Sequence, residues 1–112
     1  MSEMTDREMV ELAAKAAGLK IEFMHEMHPI AFLDHDSDWP RSMFNPLFDD
    51  GDAFRLAAKL RIDVCYEDND GPWHVNAWPR MTNVGCSELA EGEGATRRAI
   101  VRAAAEIGKQ MP

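Results

Sequence analysis

The densest group of side chains able to do chemistry is His25-Glu26-Met27-His28, followed closely by Asp34-His35-Asp36-Ser37-Asp38. Imidazole nitrogens and carboxylates gathered in one loop suit a divalent cation. His25, His28, His35 and Asp36 are therefore candidate metal ligands. Their spacing fits no complete ligand pattern, however. A zinc-protease helix needs histidines four apart on one face, whereas His25 and His28 are three apart and Pro29 follows at once. Asp34, Asp36 and Asp38 begin as a calcium loop begins, but Trp39 stands at the glycine position and Asn45 at that of the bidentate glutamate. A solvated acidic loop is the favoured reading and no cofactor is expected. A metal-binding protein or metal-dependent enzyme built on residues 25–38 is the alternative.

Asp49, Asp50 and Asp52 form a second carboxylate cluster. General acid–base work would need one of them buried with a raised pKa. A position at a helix start, where amides are unpaired and the dipole is positive, favours capping for all three instead. Gly92-Glu93-Gly94-Ala95-Thr96 could present helix amides to a phosphate, but the P-loop lysine is missing and Glu93 repels an anion. Cys65 and Cys86 have no C-x-x-C spacing, and a thiol nucleophile would need a base such as His74 nearby. Small packed thiols are the default expectation. The sequence has neither a Ser-His-Asp order nor a nucleophile-elbow motif. A non-enzymatic protein is the expectation.

Aromatic and basic residues offer contacts instead of catalysis. On a strand, Trp73 falls on the face of Val75 and Ala77, and Trp78 on that of His74 and Asn76. If the first face packs on helices, Trp78 is left as a partner contact, with Trp39 as a second aromatic candidate. Arg98 and Arg102, four apart, project together from a helix and suit either an acidic partner or the chain's own acidic loops.

These residues must be held by a small set of elements. Thr5-Asp6-Arg7-Glu8 is a capping box, and Met9, Leu12, Ala13 and Ala16 give one apolar face, which predicts a helix from about Asp6 to Ala17, ended by Gly18. Leu19, Ile21 and Phe23 alternate as a strand does, and Ile30-Ala31-Phe32-Leu33 is a second short apolar run. Residues 34–48 read as an ordered loop broken by Pro40 and Pro46. Phe44-Asn45-Pro46-Leu47 leads into Asp49-Asp50-Gly51-Asp52, then Ala53, Leu56, Ala57 and Leu60 repeat at helical spacing. Ile62, Val64 and Tyr66 pair with Trp73, Val75 and Ala77 around Asp68-Asn69-Asp70-Gly71-Pro72 as a hairpin. Residues 81–94 read as a loop, and Ala99, Ile100, Ala103, Ala104 and Ile107 mark the last helix, with Gly108 weakening its end. The expected architecture is a single α+β domain over residues 1–112. It has three helices on a small antiparallel sheet of about four strands, in the order α-ββ-α-ββ-α and in two layers.

With 112 residues and an apolar fraction of 46%, the chain can bury a core without disulfides or metal. Neither an export signal nor a spanning segment is legible, so reduced thiols in a cytoplasmic protein are expected. A net charge of −8 argues against sequence-independent nucleic-acid binding and suits a basic protein partner. From Ala95 onward the basic residues outnumber Glu106 by three, which leaves −11 to the residues before.

Asn45-Pro46-Leu47 with Asp49 through Leu60 resembles the signature of the NinX-like family of small phage and prophage proteins. Ala95-Thr96-Arg97-Arg98-Ala99-Ile100-Val101 is similar to that family's final helix. The likeness covers most of the chain in the family's order. Phe44 stands where a tryptophan is common, and glycines with Glu93 stand where a proline often opens the last helix. The resemblance implies phage origin and a bacterial host cytoplasm, but no biochemical activity. Taken together, these features point to a phage or prophage accessory protein that acts by binding a host or phage protein, in one version as an inhibitor of host defence.

Overall fold

A computed structural model of the chain describes residues 4–23, 29–33, 38–67, 73–80, 85–89 and 94–112. Helix α1 spans Asp6–Ala16, with Thr5 at its N-cap accepting the Glu8 amide at 3.1 Å. It closes in a Schellman arrangement: Gly18, at φ 73°, donates to Lys15 O, and Leu19 donates to Ala14 O. Strands β1 (Ile21–Phe23), β2 (Ala31–Leu33) and β3 (Met43–Phe44) make one antiparallel sheet in that order. Helix α2 (Asp50–Leu60) follows the Asn45-Pro46 turn and ends at Arg61 in the left-handed region, φ 56°. Strands β4 (Ile62–Glu67), β5 (His74–Pro79) and β6 (Cys86–Leu89) make a second antiparallel sheet, and α3 (Gly94–Gln110) completes the chain.

The α+β class stands, with three helices among the described residues, but the single four-stranded sheet is corrected there to two three-stranded sheets in the order α-βββ-α-βββ-α. The two added strands are short. Met43–Phe44 lies in the segment read as a loop, and Cys86–Leu89 lies in the Gly- and Glu-rich stretch before α3. In both, pairing to a better strand supplies the stability that local pattern lacks. The hairpin keeps its predicted faces: Val64 opposes Ala77 and Tyr66 opposes Val75.

Helix α3 lies at the centre of the packing, against α1, α2 and the second sheet. Ala99, Ile100, Val101, Ala103, Ala104, Ala105 and Ile107 are all buried, so it is covered on nearly every side. Small side chains allow that close approach. Gly108 is its clearest case, since a Cβ there would stand 2.1 Å from Leu12 O on α1. Gly108 thus marks the point where α1 and α3 meet, and the expectation that it merely weakens a helix end is set aside. Among the described residues, no helix is long and apolar enough to cross a membrane.

Candidate functional site

The aspartate cluster separates into three roles. Asp49 caps α2: its carboxylate accepts the Asp52 amide at 2.8 Å and pairs with Arg41 at 2.8 Å. That amide holds the Asp49 carboxyl below its usual range, against the opposing effect of burial and with further help from Arg41 and Arg55. Asp50 is exposed and pairs with Arg97 of α3, whose Nε also donates to Leu47 O.

Asp52 is not a cap, and this corrects the capping expectation for it. It has 0% exposure and faces the core. Its Oδ1 accepts from Trp39 Nε1 at 3.0 Å and from Arg55 Nη1 at 2.9 Å, and its Oδ2 accepts the Asn45 amide at 2.9 Å. A buried carboxylate with this many donors is a fastening between the 38–49 segment and α2. Trp39 belongs to that fastening. At 7% exposure, edge-on to Phe44 with ring centroids 5.3 Å apart, it is withdrawn as a partner contact. Its indole N–H needed an acceptor, and Asp52 supplied one inside the core.

The two arginines proposed as contacts are engaged within the chain. Arg98 Nη2 lies 3.0 Å from Asp6 Oδ1, and Arg102 Nη1 lies 2.8 Å from Glu88 Oε1. Both pairs tie α3 to neighbouring elements. His25, His28, His35 and Asp36 lie outside the described residues. Cys86 is buried, and desolvation pushes its thiol pKa up. Cys65, expected to be packed, is instead exposed on the outer face of β4, with Sγ 4.0 Å from Glu67 Oε1.

Two surfaces with exposed aromatic residues remain around the second sheet. The first is its outer face, where Trp78 is 48% exposed and lies against Gly85; a Cβ at Gly85 would stand 2.2 Å from the indole ring. The second is a groove of about 500 Å³ between α2 and β4 with α3 as its floor. Phe54, Ala57 and Ala58 line its α2 side, Ile62 and Val64 its β4 side, and Thr96 and Ile100 its floor. Phe54 is 73% exposed, the largest exposure among the big apolar side chains described. Tyr66 stands beside the floor, its hydroxyl 2.6 Å from Thr96 Oγ1.

Family models, curated proteins and solved structures were compared with this chain, and none matches. The functional reading therefore rests on these surfaces. Sequence reasoning missed the groove, although one signal was present. Phe54 lies off the Ala53, Leu56, Ala57, Leu60 stripe, yet it is three and four residues from Ala57 and Ala58. The apolar arc of α2 is therefore wider than one core-facing stripe requires.

Proposed function

We propose that this chain is a non-enzymatic accessory protein of a phage or prophage that acts in the host cytoplasm by binding another protein. The observation that carries this reading is Phe54, an aromatic side chain 73% exposed on the wall of an apolar groove. Exposed aromatics beside apolar depressions are the usual anchors of protein interfaces. Trp78, on the outer face of the second sheet, is a further exposed aromatic. The charge of −8 favours a basic partner over an acidic one. The NinX-like resemblance supplies the phage setting and no activity. The test is affinity purification of the tagged chain from infected cells. A partner recovered at near-equal molar amount is the expected result, and wild-type protein that recovers none contradicts the proposal.

A further inference from the structure

Beside the groove runs a sheet edge that pairs with no other strand among the described residues. The order β4-β5-β6 leaves β4 outermost, and its phase can be read from one bond. The Arg80 amide donates to Arg61 O at 3.2 Å, one step before the Ile62–Pro79 partners. In an antiparallel ladder bonded and non-bonded pairs alternate. Residues 63, 65 and 67 therefore direct their N–H and C=O toward β5, while those of Ile62, Val64 and Tyr66 face away from the sheet. Pro79, which has no N–H, sits opposite Ile62 at a non-bonded position, as this phase requires.

We propose that this edge, with the groove beyond it, takes an extended segment of another protein as an added strand. The segment's side chains are apolar on the inner face and basic on the outer one. The inference rests on the protein-binding reading above and names its site and ligand class. Backbone groups of Ile62, Val64 and Tyr66 supply the pairing, and a strand at the usual spacing of about 4.8 Å lies over Thr96 and Ile100, toward Phe54 and Ala58. Alternate side chains then enter an apolar space, and the others emerge on the outer face beside Asp63 and Glu67, both exposed. Asp63 shares its charge with Arg80, 3.2 Å away, and Glu67 lies at the strand's far end. Charge selects the occupant. A second copy would bring together two chains each at −8, which disfavours it. A basic segment meets the net negative charge of the chain as a whole.

A random dodecapeptide display library, selected on the wild-type chain, tests this directly. Two variants serve as controls. Ala58→Arg fills the groove from an exposed helix position, and Val64→Pro removes an edge N–H at a place where a sheet edge accepts proline. Circular dichroism confirms that each is folded. Selected peptides should alternate apolar and basic residues, lose at least tenfold in affinity on Ala58→Arg, and slow exchange of the Ile62, Val64 and Tyr66 amides. Failure to select any peptide, peptides without that alternation, protection centred on Trp78, or self-association of the wild-type chain through those amides would each overturn it. A cellular partner captured equally well by wild type and Ala58→Arg would also overturn it while leaving the protein-binding reading in place.

Discussion

At the scale of single residues, Asp52 governs how the middle of the chain is held. Three donors converge on it, from Trp39, Asn45 and Arg55, and the buried Trp39 indole is left without its acceptor if the carboxylate is removed. Asp52→Ala should therefore lower stability by about 3 kcal/mol, read by urea unfolding. A loss near zero would show that the fastening is decorative. In the sequence Asp49, Asp50 and Asp52 look alike, which is why all three read as caps. Helical phase distinguishes them: Asp52 is four residues before the buried Leu56 and so faces inward. What sequence could not reveal was the acceptor's need, since Trp39 lies far back in a loop whose path no local rule determines. Asp49 has a separate signature. Its carboxyl pKa is lowered, chiefly by the Asp52 amide, so its contribution is complete above the ordinary carboxylate range and is lost as pH falls through the lowered value. Asp38, lowered by its bond to Lys59, acts in the same direction. Stability should fall below about pH 4. Asp49→Asn, which still caps a helix but does not titrate there, should make that acid limb shallower in unfolding measured across pH.

At the scale of elements, the helices were legible and the short strands were not. Thr5, Gly18 and Asp49 punctuate α1 and α2 with local chemistry that needs no tertiary partner. Ile62 to Ala77 alternated strongly enough to declare both strands and their faces. Met43–Phe44 and Cys86–Leu89 have too few residues for any period to appear, and both exist because a neighbouring strand receives them. Packing between α1 and α3 was equally hidden, because an alanine-rich helix shows little contrast between its faces. Gly108 makes this packing testable. In an isolated helix, Gly108→Ala would stabilise by about 1 kcal/mol. Here the added methyl meets Leu12 O, so a net loss of about 1–3 kcal/mol is expected in thermal or urea unfolding. A stabilised variant would mean that the helices part easily at this crossing.

At the scale of the whole molecule, the distribution of charge and of apolar surface defines what the protein can meet. The basic end of the sequence does not form a free cationic face, since Arg97, Arg98, Arg102 and Lys109 are each paired with a carboxylate of the same chain. The asymmetry visible in the sequence is spent largely on fastening α3 to α1, α2 and β6, and the surplus of acid lies on the rest of the chain. Apolar surface is left where α2 and β4 rest on α3 without touching along their full length. The sequence allowed self-pairing of Arg98 and Arg102 but not the groove, which depends on which elements become neighbours. Hydrogen exchange on the chain alone and in complex with the partner captured from infected cells tests the proposed binding mode most directly. The amides of Ile62, Val64 and Tyr66 should exchange markedly more slowly in the complex. Unchanged exchange at those three amides, with slowing confined to other surfaces, would contradict binding at the β4 edge.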